Sequence, residues 1–147
     1  MIKIILCAVE GSPDSLDALR YAARLARGLS ARLLLLHVES PPHGGLFFPP
    51  YSRSEPPDEE AWTEIASGLL GDKVEVHYAT GDAGREIVRF ARKVNSDLIV
   101  LGSKGRNAAS LAIASAISSV LPHAPCPVTV VPAGSEAVEA GSSSKAA

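Results

Sequence analysis

Short apolar runs and amphipathic stretches alternate along most of this chain. The apolar runs fall at residues 2–9, 31–38, 98–101 and 127–131, and residues 74–79 alternate between apolar and polar side chains. Continuous runs are typical of strands that are covered on both faces, whereas alternation is typical of an edge strand. The pattern therefore predicts five strands.

Between the strands, apolar residues recur at helical spacing. The pattern predicts helices from Pro13 to about Leu29, over residues 58–70, from the N-cap Asp82 to about Val94, and up to Pro122. The expected core faces of the four helices are Leu16, Leu19, Ala23 and Ala26; Trp62, Ile65, Ala66 and Leu69; Ile87, Phe90, Ala91 and Val94; and Ile113, Ile117, Val120 and Leu121.

The alternation of strands and helices predicts the fold class. Right-handed crossovers would give an α/β protein, a three-layer α/β/α sandwich around a five-stranded parallel sheet. The expected strand order is 3-2-1-4-5, with the first and fourth strands at the centre. Ligands of such sheets bind beyond the carboxyl ends of the strands, where the strand order reverses. We therefore expect a crevice between the ends of the first and fourth strands.

Two segments lack this regular pattern. Residues 40–57 are rich in proline and carry Phe47, Phe48 and Tyr51, which suit either a lid or contact loop or a hydrophobic plug over the sheet edge. From Ala133 onward almost no large apolar residue occurs, so the tail 133–147 is expected to be disordered. The ordered domain is thus predicted to span residues 1–132.

Composition excludes several classes of function. The chain has 147 residues, 46% of them apolar, and a formal net charge of -2. Without a basic excess, nucleic acid is not expected as the principal partner. The first apolar run is too short to span a membrane and lacks a signal-peptide cleavage pattern, so we expect a cytoplasmic protein with no membrane partner.

The cysteines and histidines carry no metal-site signal. Cys7 and Cys126 are the two cysteines, too few for a disulfide framework or a cysteine-rich metal site. Since the fourth strand would separate the first strand from the fifth, we predict no disulfide between them. The four histidines, at residues 37, 43, 77 and 123, lack paired ligand spacing and are expected at strand ends or in loops.

A glycine loop follows the fourth predicted strand. Gly102 and Gly105 flank Ser103 and Lys104, and a helical stretch comes next. This order of strand, glycine loop and helix is how α/β proteins bring backbone N–H groups and a helix N-terminus to a phosphate. Glycine allows the backbone to approach the anion closely because it has no β-carbon.

Three segments of the chain together resemble the universal stress protein family. They are residues 9–12 after the first strand, residues 96–106 around the glycine loop, and residues 123–128 before the fifth strand. The resemblance covers residues 2–132. It implies a Rossmann-like fold of the adenine-nucleotide alpha-hydrolase type and two-fold dimers.

Nucleotide-binding members of that family carry an acidic residue after the first strand and a G-x2-G loop, followed after nine residues by Gly-Ser or Gly-Thr. Here Gly102 and Gly105 match the loop, and Glu10 stands where an aspartate usually contacts the ribose. Ala114 and Ser115 stand at the Gly-Ser position, which keeps the hydroxyl, loses the glycine and leaves only eight intervening residues. One residue fewer rotates the start of the following helix by about 100°.

The resemblance implies a nucleotide site drawn from four segments of the chain. Lys104 and Arg106 would either pair with phosphate oxygens or remain solvated loop charges. The implied nucleotide-binding residues are Ala8, Val9, Glu10, Val38, Leu101, Gly102, Lys104, Gly105, Arg106, Ala114, Ser115 and Ala116.

Two functions of different classes follow. The first is a stress-response regulatory protein that binds ATP or a related adenine nucleotide, with Mg²⁺ as the accompanying ion. The second is a nucleotide-free, dimeric interaction module whose glycine loop is vestigial. Residues 10–15 faintly resemble an ATP pyrophosphatase loop, but the chain leaves no room for the substrate region of such an enzyme.

Catalysis is not expected, although slow ATP hydrolysis stays compatible with the sequence. The serines of the fourth helix have no histidine and aspartate placed to activate them, and they suit close packing or phosphorylation instead. The apolar fifth strand, with Pro127 at its first position, would lie at a sheet edge and is expected to form a homodimer. A protein partner of unknown identity is also expected.

Overall fold

The computed structural model describes residues 1–9, 13–39, 59–103, 116–132 and 134–135. Five strands form one sheet: β1 (Ile4–Ala8), β2 (Arg32–Glu39), β3 (Val74–Thr80), β4 (Leu98–Gly102) and β5 (Val128–Val131). Their order is β3-β2-β1-β4-β5, and every neighbouring pair is parallel. The predicted fold class and strand order are confirmed.

The helices connect these strands. They are α1 (Pro13–Leu29), α2 (Glu59–Leu70) and α3 (Ala83–Val94), and a short 3-10 turn at Gly71–Lys73 follows α2. Residues 116–120 are also helical. As predicted, Asp82 caps α3, because its Oδ1 accepts a hydrogen bond from the Arg85 backbone N–H at 2.9 Å.

The helices lie on both faces of the sheet. On one face, α1 and α2 cover a hydrophobic cluster that includes Ile5 and Cys7 of β1, and Trp62 of α2 is buried there. On the other face, α3 and helical segment 116–120 cover a second cluster that includes Leu6 and Ile99. Alternate residues of the central strands thus belong to two different hydrophobic cores, which explains why these strands are apolar throughout.

Some local expectations need correction. Gly102, expected to open the loop, is the buried last residue of β4 and pairs with Val131, because β5 extends the ladder to this point. Leu121, expected on a core face, is 55% exposed, since the helix stops at residue 120 and Leu121 lies in the turn before Pro122. His77, expected at a strand end or in a loop, lies within β3.

The two cysteines lie on opposite faces of the sheet. Cys7 belongs to the cluster under α1 and α2, whereas Cys126 packs against the cluster under α3. Both thiols are free, as predicted.

The beginning of the predicted tail contacts the domain. The Gly134 backbone N–H donates to Oδ2 of Asp17 in α1 at 2.7 Å, and the Ser135 hydroxyl donates to the Pro132 carbonyl at 2.8 Å. Residues 133 and 136–147, together with residues 40–58 and their aromatic side chains, lie outside the described residues.

Candidate functional site

The strand order reverses between β1 and β4. The two strands pair from Ile5 with Leu98 to Cys7 with Val100, so Ala8 and Leu101 are the next residues on each. After β1 the chain passes to α1 on one face, and the helical segment that follows β4 lies on the other face. In open α/β sheets, ligands bind at the carboxyl ends of strands whose connections diverge in this way.

The predicted site residues that the structure describes meet at this end of the sheet. Leu101 and Ala116 are both buried in the cluster under α3, and Ala8 and Val38 pack against the same cluster. Three strands and the helical segment therefore contribute to one apolar cluster, in which Leu101 and Ala116 are buried and Ala8 and Val38 are partly exposed. Val9 is buried in the cluster of the opposite face, and Gly102 ends β4.

The other predicted site residues include those expected to contact the ribose and the phosphates. Glu10, Lys104, Gly105, Arg106, Ala114 and Ser115 lie outside the described residues, as do Gly11 and Ser12.

Backbone groups at the rim are tied to neighbouring strands. The Val9 N–H donates to the Leu36 carbonyl at 2.9 Å, and the Ser103 N–H donates to the Val131 carbonyl at 2.9 Å. The ends of β1 and β4 are thus each fixed against the strand on their outer side.

His37 is a feature of this rim that the sequence did not identify. Its ring nitrogen Nδ1 lies 3.0 Å from the Val9 carbonyl oxygen. The ring centroid lies 5.4 Å from that of Trp62 and 6.2 Å from that of Tyr78. The available signal was a histidine within the apolar run of residues 33–38, but its partner, the residue directly after β1, could not be deduced from spacing.

Asp97, within the segment that carries the family resemblance, acts at the opposite end of the sheet. Its Oδ2 accepts hydrogen bonds from the backbone N–H groups of Lys3 at 2.9 Å and Ile4 at 3.0 Å. These two bonds hold the pKa of the Asp97 carboxyl below its usual value. Asp97 therefore fixes the amino end of β1 beside β4 and is remote from the crevice.

The described parts of the chain contain neither a cluster of metal-ligating side chains nor a helix that could span a membrane. No group of three or more histidine, cysteine, aspartate or glutamate residues is arranged to hold a metal ion within these parts. None of the helices described is long and apolar enough to cross a membrane.

Comparison with known proteins agrees with the fold and places the chain in a family. A universal stress protein A homolog from Coxiella burnetii is 30% identical over 137 residues, which cover 88% of this chain and 95% of the relative. A solved universal stress protein in complex with cAMP has a TM-score of 0.68 at 20% identity, with 88% of this chain and 97% of the other covered. The universal stress protein from Archaeoglobus fulgidus in complex with dAMP has a TM-score of 0.55 at 22% identity, with the same coverages.

At such identities the two solved structures support the fold alone. The family assignment comes from the sequence, because the model of the universal stress protein family matches residues 1–132, which include every strand of the sheet. This chain belongs to the universal stress protein family.

Proposed function

We propose that this chain is a stress-response regulatory protein that binds ATP or a related adenine nucleotide at the carboxyl ends of β1 and β4. The observation that carries the proposal is the apolar cluster at this end of the sheet, where the partly exposed Ala8 and Val38 pack against the buried Leu101 and Ala116. Partly exposed apolar residues at a strand-order reversal suit contact with a flat purine base. Two structural neighbours are described as complexes with cAMP and dAMP, which share an adenine base.

The remaining candidate residues would hold the sugar and the phosphates. Glu10 would accept hydrogen bonds from ribose hydroxyls. The backbone N–H groups of the glycine loop beyond Ser103, whose own N–H donates to the Val131 carbonyl, would bind phosphate oxygens. The Ser115 hydroxyl would reach the terminal phosphate, and Lys104 and Arg106 would balance its charge. Mg²⁺ would be carried largely by the nucleotide phosphates, as this small cation prefers.

In this proposal nucleotide binding is regulatory and not catalytic. The residues assigned to the site include no histidine or nucleophile paired with a base, so any ATP turnover should be slow. Binding would instead change which partners the protein associates with. A homodimer through the edge strand β5 is part of the proposal, as is a further protein partner.

A specific feature favours a second function, a nucleotide-free dimeric interaction module. Ala114 replaces the glycine of the family pattern, and only eight residues separate it from Gly105. A β-carbon at residue 114 and a rotated helix start would both reduce phosphate binding.

Binding measurements on the purified chain distinguish the two functions. Native mass spectrometry of freshly purified protein detects a nucleotide that has co-purified, and isothermal titration with ATP, AMP and GTP, each with and without Mg²⁺, measures affinity. The proposal predicts saturable binding of ATP or AMP in preference to GTP. No binding of any of the three would support the interaction module.

Glycine variants test the assigned loop. We expect Gly102→Val and Gly105→Val to abolish nucleotide affinity in a folded protein, because a side chain would block approach to the phosphates. Gly68→Val in α2 is the matched control, since a β-carbon at Gly68 meets nothing within 4 Å. Circular dichroism of each variant reports whether it is folded. Unchanged affinity in the Gly105→Val chain would show that this loop does not bind phosphate.

A further inference from the structure

We infer that His37 is a positioning residue of the nucleotide site, acting by fixing the carbonyl group of Val9 at the carboxyl end of β1. The inference rests on the proposed function, because it concerns the affinity of the same site. It assigns a role to a side chain of β2 that neither the glycine loop nor the acidic position explains.

Val9 is held to β2 by both of its backbone polar groups. Its N–H donates to the Leu36 carbonyl at 2.9 Å, as the parallel ladder requires. Its carbonyl oxygen lies 3.0 Å from Nδ1 of His37. A carbonyl oxygen can only accept, so Nδ1 carries the proton, and the side chain donates where β1 ends.

Aromatic neighbours hold the His37 ring in this orientation. The Trp62 ring is 1% exposed, and its centroid lies 5.4 Å from the His37 centroid at an interplanar angle of 39°. Tyr78 of β3 lies nearly edge-on to the His37 ring at 6.2 Å. A donor whose side chain is locked by packing loses little entropy when it positions another group.

The position of Val9 gives this hydrogen bond a consequence for binding. The peptide group that contains the Val9 carbonyl is planar, so fixing the carbonyl direction fixes the whole group. Val9 is itself one of the predicted site residues and directly precedes Glu10 in the sequence. A site ordered before the ligand arrives binds more tightly, because less conformational entropy is lost on binding.

Two substitutions distinguish the effect of the hydrogen-bond donor from the effect of the aromatic ring. His37→Phe keeps an aromatic ring beside Trp62 and removes the donor. His37→Asn removes the ring but places an amide N–H at nearly the same distance from the backbone as Nδ1. The matched controls are His77→Phe and His77→Asn on β3, because His77 likewise has an aromatic neighbour and a polar partner. The His77 and Phe90 ring centroids are 4.8 Å apart, and His77 Nε2 lies 3.3 Å from Glu75 Oε2.

We expect His37→Phe to weaken ATP or AMP binding by about three- to tenfold, the effect of one lost neutral hydrogen bond. His37→Asn should recover most of that loss even if its melting temperature is lower than that of His37→Phe. Both His77 variants should bind like the parent. Parent-like affinity in His37→Phe, or equal losses in His37→Phe and His37→Asn, would overturn the inference.

Two NMR measurements need no ligand. Long-range ¹H–¹⁵N spectra of the parent should show the neutral His37 ring protonated at Nδ1, and amide exchange at Val9 should be faster in His37→Phe than in His37→Asn. A ring protonated at Nε2 alone, or unchanged Val9 exchange, would overturn the positioning role. A parent that binds no nucleotide would overturn the proposed function, while these two measurements would still decide whether His37 fixes Val9.

Discussion

Gly84 of α3 and Ser119 of helical segment 116–120 approach so closely that a β-carbon built on Gly84 would lie 2.4 Å from the Ser119 β-carbon. The Ser119 Oγ would lie at 3.1 Å and the Ala116 carbonyl oxygen at 3.4 Å from the same atom. Real β-carbons do not approach each other this closely, so the two helices must both carry small residues here. One of the serines predicted to permit close packing does so.

We expect Gly84→Ala to destabilise the protein by about 1–3 kcal/mol, because the added methyl group forces the helices apart. Urea unfolding measures the change in the free energy of unfolding. Gly68→Ala is the control, because its added β-carbon meets nothing within 4 Å. Since alanine favours a helix more than glycine does, this control should raise the free energy of unfolding by about 0.5–1 kcal/mol. Ser119→Gly in the Gly84→Ala background should recover part of the loss, and no recovery would mean that this contact is not the cause.

The contrast between this contact and the strand order shows what the sequence could predict. Periodicity predicted β1 to β5 because each strand is encoded by residues close together in the chain, whereas the strand order was expected from the fold that alternating strands and helices adopt. The bond from Gly134 to Asp17 joins residues 117 positions apart, and the His37 contact with Val9 spans 28. Such contacts depend on how the elements pack, which no local pattern specifies.

The candidate site also has features that the sequence could predict and features that it could not. The place where the connections after β1 and β4 diverge was predictable, because strand order alone decides it. The role of Gly102 was only partly predictable. An apolar run followed by glycine indicates a strand end, but the pairing of Gly102 with Val131 depends on how far β5 extends.

A shortened chain should reveal the contribution of the Asp17 contact. We expect a chain that ends at Pro132 to be less stable than one that ends at Ser135 by about 1–2 kcal/mol, because Asp17, only 8% exposed, loses the Gly134 N–H as a donor. Thermal unfolding of the two chains measures the difference. In an Asp17→Ala background the difference should shrink, and a difference of full size there would contradict the assignment.

Asp97 should make stability depend on pH in the acid range. Hydrogen bonds from Lys3 and Ile4 lower its folded pKa below the usual 3.8. As the pH falls, the unfolded chain therefore takes up the proton first, so the Asp97 contribution is present above about pH 4 and is lost below it. We expect the difference in unfolding free energy between the parent and Asp97→Asn to shrink between pH 5 and about pH 2.

An exposed carboxylate supplies the comparison for Asp97. Glu75 has its pKa lowered chiefly by a hydrogen bond from Arg32, and both side chains are about half exposed. The stability difference caused by Glu75→Gln should be small and should fall with added salt. An Asp97→Asn difference that stayed constant from pH 5 to pH 2 would show that the two backbone bonds do not depend on the charge.

The two thiols should differ in reactivity. Burial raises the pKa of Cys7 to about 12, so almost no thiolate is present at pH 8, and the side chain is inaccessible. Cys126 is partly exposed, and its Sγ lies 3.5 Å from Ser96 Oγ. We expect a disulfide reagent to modify Cys126 in the native protein and both cysteines after unfolding. Cys126→Ser should abolish the native reaction, and finding no free thiol after unfolding would reveal an unexpected disulfide.

The two edges of the sheet are competing surfaces for a homodimer. Among the described strands β5 pairs with β4 alone, and Val128, Thr129 and Val130 are partly buried. The strand contains no charged residue that would oppose pairing. The β3 edge is more polar, because Glu75 lies there with its partners Arg32 and His77.

A lysine on each edge in turn identifies the interface. Two copies of β5 that pair antiparallel would satisfy their free N–H and C=O groups around a two-fold axis. We expect sedimentation to show a dimer at micromolar concentration, and Val130→Lys to shift it to monomer because the ammonium group would be desolvated. Tyr78→Lys, at a residue of β3 that is 53% exposed, should leave the dimer intact. A monomeric parent would refute the dimer, whereas a Tyr78→Lys monomer beside a Val130→Lys dimer would place the interface on β3.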